Sequence, residues 1–550
     1  MKFCDRILIG DAKYSSHHLK LIEPNSSEED ASAHASSATQ QESDFDSENE
    51  SARQKINFKL LIESRKRLNK SANEAAPNNI LLDAHRFNLD EQHSRSQVID
   101  PSTGRLYVGG VNNLYDLHAS SLSVKAHAVT GPEEDSLECL NRESCNRKTP
   151  HNSYTKGLAV YEKGSKLIEC SSLFQGRCRW RNLYNIDQKD VIRESQRNVV
   201  ANDRFSSTVI FVGAGPPNDD GIPKINHNHM ISISILNSMW ITVTLVIAED
   251  VLYVASTYAH NGSYWDDVPA VASLSLAQET LFDVSVQGVG TGTEIKMERQ
   301  FRGQYKIEYV GGFQSGRFAY FATRQPKGYI PGGNTFPIIS KLVRVCTSDA
   351  HFWSYTEVPL ECSQTNVTYN LLTDVYLSKP GYDLASSLGI SVEDDILYAV
   401  FVEGTGVDKS VPSMHSALFT GKFQNLPWFK SAERCQQTKF SGQEVLCGKD
   451  VNSYIGGDIA IESKPVLSTR KARFTAVATN TTRANTVAFI GTHDGRLLKA
   501  VVENRTAGFI YRSLDVGGGK PILQDLELDG TGDHVYVLTP SSVSYVTVQL

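Results

Sequence analysis

The chain has 550 residues and a formal net charge of −7, with 40% hydrophobic and 21% charged residues, which is an ordinary globular composition. The mild negative charge and the lack of a basic stripe argue against a nucleic-acid-binding protein. The 22 tyrosines and 22 phenylalanines, against five tryptophans and five methionines, favour β-structure.

Residues 1–85 are predicted to be a disordered, acidic and serine-rich tail. From Glu23 to Ser51 the chain contains no lysine or arginine and few apolar residues, so it cannot bury enough apolar surface to offset its ordering entropy. The basic stretch Lys55–Lys70 is interpreted as a solvated, marginal helix, with a membrane-surface or nuclear-import patch as the alternative. Near the start, Ile7–Ile9 is too short for the apolar core of a secretory signal, and we hypothesise that the N-terminus is incomplete.

Residues 86–550 are predicted to fold as a β-propeller, because one pattern recurs along them. In Gly104–Leu117, a β-branched and aromatic run, a Gly-Gly and Asn-Asn turn signal and a second run predict two antiparallel strands. Such a unit must stack against copies of itself to bury its apolar face. Strand cores of this kind recur at Leu106–Val108, Leu158–Tyr161, Val209–Val212, Val251–Val254, Phe318–Phe321, Ile396–Ala399, Val487–Ile490 and Val535–Leu538.

The segment His227–Asp250 interrupts the pattern because it is unusually apolar. Its length approaches that of a membrane span, but Ile231, Ile233 and Ile235 alternate with serines, which is the period of a strand. We therefore interpret residues 227–250 as an atypical apolar insert, with a membrane helix as the alternative.

Cysteine usage indicates an oxidising compartment. Eight of the nine cysteines lie in the globular part, an even number in local pairs, and no C-x-x-C spacing indicates a metal site. The alternative is buried free thiols. Sequons that would mark glycan-bearing loops in an extracellular chain begin at Asn261, Asn366, Asn480 and Asn504.

Motifs that would indicate catalysis are missing from the sequence. No H-E-x-x-H, Walker loop or G-x-S-x-G occurs. In the glycine-rich run from Gly288, Thr293 occupies the place of the third glycine of a dinucleotide fingerprint, so we interpret the run as a turn. Asp525–Gly530 resembles a calcium loop only weakly, because Tyr536 stands where a carboxylate is needed. We therefore expect no enzyme activity, no metal and no cofactor.

Short segments along the globular part form a recognisable set. They are GRLYVGGVNNLY from Gly104, VTGP from Val129, LIEC from Leu167 with QGRC from Gln175, VVAND from Val199 with SSTV from Ser206, DVPAVAS from Asp267, SYTE from Ser354, CGKD from Cys447 with GG from Gly456, and TVAFIGTHDGRLLK from Thr486. Together these segments resemble the sema domain of plexins, the cell-surface receptors for semaphorins. The resemblance covers about Phe87–Leu550, and the semaphorin signature Cys-Gln-Asn-Tyr-Ile is absent, which favours receptor over ligand.

The resemblance implies a seven-bladed propeller whose last blade is closed by a strand from the N-terminal end, with Phe87–Val98 beside Val543–Gln549. It also implies three disulfides, which join Cys139 to Cys145, Cys170 to Cys178, and Cys346 to Cys447. Cys362 and Cys435 lack their usual family partners, since Phe419 lies in a segment without cysteine, and they either pair with each other or stay free.

The function implied is an extracellular protein-binding module of a plexin-like receptor that recognises semaphorins in axon-guidance or cell-migration signalling. The expected contact loops are Ala201–Ser206 and Tyr258–Asp267, with Asp203 and Trp265 as ligand contacts, and sema–sema association is a further expectation. The alternatives are a growth-factor-receptor-type sema domain, a truncated non-signalling decoy and a propeller enzyme. In the family, PSI and Ig-like modules, a membrane helix and a cytoplasmic region follow the sema domain, and we expect the chain at the outer face of the plasma membrane.

Overall fold

Short antiparallel strands form nearly all of the regular structure. The structure, a computed structural model, describes residues 85–89, 96–100, 102–136, 148–188, 193–195, 198–216, 231–235, 239–243, 249–258, 268–287, 292–298, 301–302, 304–329, 336–423, 455–456, 460–482 and 484–548. Within these residues the strands group into seven sheets of four or more strands, or blades. The first strand of each blade in chain order lies innermost, except in blade 7, where β33 lies innermost and the N-terminal strand β1 lies at the outer edge. The all-β, seven-bladed propeller implied by the resemblance is therefore confirmed.

The first strands of the fold build blades 1 and 2. The strand β1 (His85–Asn88) belongs to the last blade. Blade 1 contains β2 (Ser96–Asp100), β3 (Arg105–Gly109), β4 (Asn113–His118) and β5 (Val124–Val129). A small hairpin of β6 (Glu133–Asp135) and β7 (Thr149–His151) precedes blade 2, which contains β8 (Thr155–Tyr161), β9 (Lys166–Ser171), β10 (Cys178–Asn182) and β11 (Arg193–Glu194).

Blade 3 contains β12 (Thr208–Ala214), a separate hairpin of β13 (Ile231–Ile235) and β14 (Met239–Val243), then β15 (Asp250–Ser256), β16 (Val271–Ser275) and β17 (Glu294–Ile295). Blade 4 contains β18 (Glu308–Ser315), β19 (Phe318–Pro326), β20 (Ile338–Cys346), β21 (Thr356–Gln364) and the short β22 (Val367–Tyr369). Single turns at Leu173–Gly176 and Gln278–Thr280 join strands of blades 2 and 3.

Blade 5 contains β23 (Leu371–Ser378), the helix α1 (Tyr382–Leu388), β24 (Ile396–Thr405) and β25 (Val411–Gly421). The strands β26 (Ile455–Gly456) and β27 (Ile461–Ser463) pair in parallel with β21, and β28 (Leu467–Thr469) completes blade 5. Blade 6 contains β29 (Phe474–Thr481), β30 (Thr486–Thr492), β31 (Arg496–Asn504) and β32 (Ala507–Asp515). Blade 7 contains β33 (Glu527–Leu528), β34 (His534–Thr539), β35 (Ser542–Thr547) and β1.

The hydrophobic core lies between the blades. Each of the seven interfaces between neighbouring blades, among the described residues, contains a hydrophobic cluster of its own. The second strands supply repeated anchors: Tyr107, Tyr253, Tyr320, Tyr398 and Tyr536 are all fully buried at comparable places in five blades. A blade therefore buries its two faces only when it lies between two others, as the repeated sequence pattern predicted.

The hairpin predicted at Gly104–Leu117 is present as β3–β4, with Leu106 opposite Leu117. The same antiparallel pairing recurs around three of the other predicted strand cores, in β8–β9, β30–β31 and β34–β35. Eight strand cores nevertheless correspond to seven blades. Blade 3 supplies two of them, Val209–Val212 in β12 and Val251–Val254 in β15, because the insert separates these two paired strands in sequence. Within the insert, Ile231–Ile235 is a strand, as its alternation with serine predicted.

The N-terminal strand closes the last blade, as expected, over a shorter range than expected. Phe87 lies opposite Val543, and β1 pairs along Ser542–Tyr545. The predicted closing segment Phe87–Val98 was too long, because Val98 lies in β2 opposite Tyr107 and forms the inner strand of blade 1. Closure leaves blade 7 with a fourth strand instead of an open apolar edge.

Candidate functional site

Three connections meet at one end of blades 2, 3 and 4. In antiparallel blades, the segment entering a first strand and the segment joining the second strand to the third lie at the same end. Hydrogen bonds confirm the meeting: the hydroxyls of Ser207 and Thr257 lie 2.7 Å apart, Tyr309 N–H donates to Ser207 Oγ at 2.7 Å, and Thr257 Oγ1 donates to the Ile307 carbonyl at 2.6 Å. We call residues 198–207, 257–258, 268–270, 296–298, 301–302 and 304–307 the loop cluster.

Asp203 braces the first of these connections. Its carboxylate accepts the N–H groups of Phe205 and Ser206 at 2.5 and 2.7 Å and the Ser206 hydroxyl at 2.5 Å. Burial opposes ionisation, but the bonds from Ser206 and Phe205 and the charge of Lys156 prevail, and the pKa of Asp203 lies below its usual value. The Asp203 side chain therefore serves its own loop, and its expected contact with a ligand stays a prediction; Trp265 lies outside the described residues.

Lys156 fixes the same turn from blade 2. Its ammonium donates to the carbonyls of Asp203 and Ser206 at 2.7 and 2.5 Å. Lys156 in β8 thus binds carbonyl groups of the segment 203–206, while the Asp203 carboxylate binds N–H groups of the same segment. The conformation of residues 203–206 is determined by these charge-assisted hydrogen bonds.

The turn ends in an exposed aromatic side chain that sequence reasoning missed. Phe205 is 82% exposed, and the guanidinium carbon of Arg204 lies 5.5 Å from its ring centroid and 5.7 Å from that of Tyr154. These distances are those of cation–π pairs. The only local signal in the sequence is the position of Asp203, two residues before Phe205 and three before Ser206. That spacing predicts a turn, but it does not predict which side chain of the turn faces solvent.

Gly176 and a disulfide hold the base of this connection. Cys170 and Cys178 lie opposite each other in β9 and β10 and are joined, which is the pairing that the resemblance implied. Between them, the Gly176 carbonyl accepts the N–H groups of Val199 and Val200 at 2.8 and 2.9 Å. A Cβ at Gly176, whose φ is +82°, would lie 1.8 Å from the Val200 carbonyl oxygen, so only glycine fits.

The other two connections enclose a small cavity lined with tyrosines. Tyr258 accepts the Met297 N–H at 3.2 Å, and Arg302 lies over the Tyr258 ring at 5.0 Å while its Nε donates to the Met297 carbonyl at 2.7 Å. Tyr305 and Tyr309 complete the lining. Burial raises the pKa of Tyr309 well above its usual value, so this phenol stays neutral.

The remaining predicted cysteines are placed only in part. Cys346 is buried and disulfide-bonded, whereas Cys139, Cys145, Cys435 and Cys447 lie outside the described residues. Cys362 is a buried free thiol whose pKa burial raises to about 12, so of the two alternatives for this residue the structure shows the free one.

Three of the four sequons lie in described segments. Asn366 is exposed in the turn between β21 and β22. Asn504 lies in the β31–β32 turn, where its Oδ1 accepts the Thr506 N–H at 2.9 Å. Asn480 is half-buried and its Nδ2 donates to the Gly532 carbonyl at 2.8 Å, so a glycan there would have to displace blade 7. Asn261 lies outside the described residues, and glycosylation of all four stays a prediction.

The loop cluster has the character of a binding surface. Among the described residues, no three histidine, cysteine or acidic side chains are placed to hold a metal ion. The described helices are all too short or too polar to cross a bilayer. What this end of the propeller presents is rigid loops, an exposed aromatic ring and an arginine, which are features of protein recognition.

Comparisons with known proteins find sema domains over this chain. The Sema domain family model matches residues 423–529. Human Plexin-A4 is 28% identical over 487 residues, which cover 82% of this chain and 24% of the relative, and human Plexin-A3 is 27% identical, with 81% and 24% covered. The chain thus spans about a quarter of the length of these curated relatives.

Solved structures of a plexin and of a semaphorin have a similar fold. The full extracellular region of Plexin A4 superposes with a TM-score of 0.68 at 26% identity, over 85% of this chain and 40% of that one. Drosophila Semaphorin 2a superposes with a TM-score of 0.57 at 15% identity, over 84% and 75%, which shows the shared fold alone.

The fold defines the class of protein as a seven-bladed β-propeller. Within that class the chain is similar to the sema domain of plexins, and the resemblance found in the motifs from Gly104 to Lys499 is confirmed.

Proposed function

We propose that this chain is the extracellular ligand-binding module of a plexin-type cell-surface receptor, and that it binds semaphorins through the loop cluster. The proposal draws on the likeness to plexins over 82% of the chain, together with the rigid, solvent-facing turn at residues 203–206. A Drosophila Plexin A structure, similar in fold, is described as a complex with Semaphorin 1b. The signalling context would be that of axon guidance or cell migration.

The loop cluster is the favoured surface because its backbone is fixed before a partner arrives. Binding costs less when the contacting segment loses little conformational freedom. The hydrogen bonds of Asp203, Lys156 and Gly176 hold residues 198–207, and those of Thr257 join them to the neighbouring connections. An interface of ordinary size, about 800 Å² per partner, would extend beyond this turn over neighbouring loops.

Direct binding tests the proposal. The full chain, produced in a secreting eukaryotic cell, is immobilised and exposed to a panel of semaphorin ectodomains and, in parallel, to growth factors. We expect saturable binding to at least one semaphorin and none to the growth factors. Binding to a growth factor alone would assign the chain to the other kind of sema receptor.

A glycan wedge locates the surface. Phe205→Asn creates the sequon Asn-Ser-Ser with Ser206 and Ser207, and a glycan there would cover the loop cluster. Lys163→Asn is the matched control, because it creates the sequon Asn-Gly-Ser with Gly164 and Ser165 at a position that is 66% exposed in the β8–β9 turn. A turn that joins a first strand to a second lies at the opposite end of the propeller from the loop cluster. We expect the first glycan to abolish semaphorin binding and the second to leave it intact; the reverse result would move the site to the opposite end.

A further inference from the structure

We propose that Phe205 is the anchor of this surface, and that its ring inserts into an apolar pocket of the partner whose rim carries a carboxylate that pairs with Arg204. The inference rests on the proposed function and names the residue and the partner chemistry that would provide most of the affinity.

The exposure of Phe205 is maintained by the structure around it. A single exposed apolar side chain is common on proteins, but this one sits at the tip of a turn whose backbone is fixed by polar side chains. Asp203 binds the Phe205 and Ser206 N–H groups, and Lys156 binds the Asp203 and Ser206 carbonyls. The backbone thus cannot fold the ring back without breaking charge-assisted hydrogen bonds.

Arg204 restrains the ring itself. Its guanidinium lies between the rings of Tyr154 and Phe205, at 5.7 and 5.5 Å from their centroids. A cation–π contact at an exposed site is weak, but it favours one rotamer of the ring and so lowers the conformational entropy that the ring loses on binding. Aromatic and arginine side chains are also the types enriched among the residues that provide most of the binding energy at interfaces.

The charge of Arg204 indicates the rim of the complementary pocket. Within the described part of the chain, the salt bridges of this region join Arg177, Arg179 and Arg181 to acidic partners and leave Arg204 without one. An arginine that is half-buried on aromatic faces and not neutralised favours a carboxylate from the other molecule. The partner therefore fits best if it offers a hydrophobic pocket with an acidic side chain at its edge.

Affinity measurements on the full chain test the anchor. Against the semaphorin ectodomain that binds the wild type, we expect Phe205→Ala to weaken binding by about 30-fold or more, mainly through faster dissociation. Phe205→Tyr should keep most of the affinity, because it keeps the ring. Arg204→Met should weaken binding by about three- to tenfold and flatten its salt dependence.

Tyr382→Ala is the matched control, since it removes an aromatic side chain that is 64% exposed in α1, between β23 and β24 at the opposite end of the propeller, and we expect no change in affinity. Equal thermal midpoints of all variants establish that the fold is intact. If the affinity of Phe205→Ala is within about threefold of the wild-type affinity while the glycan at position 205 still blocks binding, Phe205 is not the anchor and the proposed surface stands. If the wild-type chain binds no semaphorin, the proposed function fails, and this inference fails with it.

Discussion

The carboxylate of Glu357 illustrates what a buried charge requires in this propeller. It lies 2.8 Å from the ammonium of Lys341, accepts the Tyr355 hydroxyl at 2.7 Å and accepts Gln325 Nε2 at 3.1 Å. Burial opposes ionisation, but Lys341 outweighs it, so the pKa of Glu357 is lowered, and that of Lys341 is raised. Both groups are therefore charged at neutral pH, and each depends on the other.

Removing one partner of this ion pair should consequently lower the free energy of unfolding more than breaking an exposed ion pair does. We expect Lys341→Met to lower the free energy of unfolding by about 2–3 kcal/mol, because it leaves the Glu357 carboxylate, whose side chain is 20% exposed, without its cation. Arg496→Met, which breaks the exposed pair with Asp494, should cost under about 1 kcal/mol. Urea unfolding of both variants and of the double variant Lys341→Met, Glu357→Gln measures the difference; a loss at Lys341 no larger than that at Arg496 would contradict the argument.

Side-chain chemistry is harder to predict from the sequence than strands are. Asp203 is an acid in a loop, which suggests a ligand contact, yet its oxygens bind its own backbone. A phenylalanine such as Phe205 would be expected in the core from its residue type, but its side chain is exposed. A local pattern fixes the turn, but which side chain faces solvent depends on Lys156 and Tyr154, which lie about 50 residues earlier in the chain.

Among the secondary-structure elements, hairpins are the most predictable. Alternating apolar residues around a Gly or Asn signal determine both the strand and its turn, since partners across a hairpin are close in sequence. Blade 3 contributes one strand core too many because β12 and β15, which pair along Thr208–Ala214, are separated by the insert. The predicted range of the closing strand is also wrong, because a strand that pairs with residues more than 450 positions away leaves no local signal of its register.

The closing strand β1 gives the prediction that belongs to a single element. The Phe87 ring meets Tyr115 of blade 1 edge-on, with centroids 5.3 Å apart, and Leu89 N–H donates to the Ser541 carbonyl at 2.9 Å. Deleting residues 1–89 removes these contacts, whereas deleting residues 1–84 keeps them. We expect the longer deletion to lower the free energy of unfolding by about 2–4 kcal/mol relative to the shorter one, from lost apolar burial alone.

The same deletion should expose the edge of β35. A strand with unpaired backbone groups and apolar neighbours is a template for association with another chain. Light scattering on matched concentrations of the two deletions measures it, and we expect larger species only for the longer one. Identical unfolding curves and identical masses would show that β1 does not close the ring.

The molecule as a whole distributes its hydrophobic core over the seven interfaces between blades, whereas acidic side chains lie near one another on or beside two of its inner strands. Asp374, Asp525 and Glu527 lie on or beside the inner strands of blades 5 and 7, and all three have raised pKa values. Burial is the largest cause for each. At Asp374 and Glu527, the charges of the neighbouring acids raise the pKa further. The pKa of Asp525 is raised to about 6 and that of Glu527 to about 8. The groups that face them are hydrogen-bond donors: Val477 N–H binds Asp374 at 2.8 Å, and Ser96 and the Gln97 backbone bind Asp525.

These shifts predict a propeller that is more stable in mild acid than in base. A carboxyl group with a raised pKa in the folded state favours folding when protonated. Its contribution is complete below the unfolded-state pKa near 4 and is lost as pH rises through the folded-state value. Because the pKa of Glu527 is about 8, the loss should continue up to about pH 8.5.

Replacing Glu527 by glutamine should remove the upper part of that loss. We expect Glu527→Gln to raise the free energy of unfolding by about 2–4 kcal/mol at pH 8.5 and by about 1 kcal/mol or less at pH 5. One pKa unit corresponds to about 1.4 kcal/mol, the shift runs from near 4 to about 8, and the coupling of the acids lowers the full value. Glu134→Gln, at an exposed position on β6, controls for the change in net charge. Urea titrations at pH 5, 6.5 and 8.5 measure the profile; parallel curves for wild type and Glu527→Gln would mean that the centre of the ring does not hold its acids protonated.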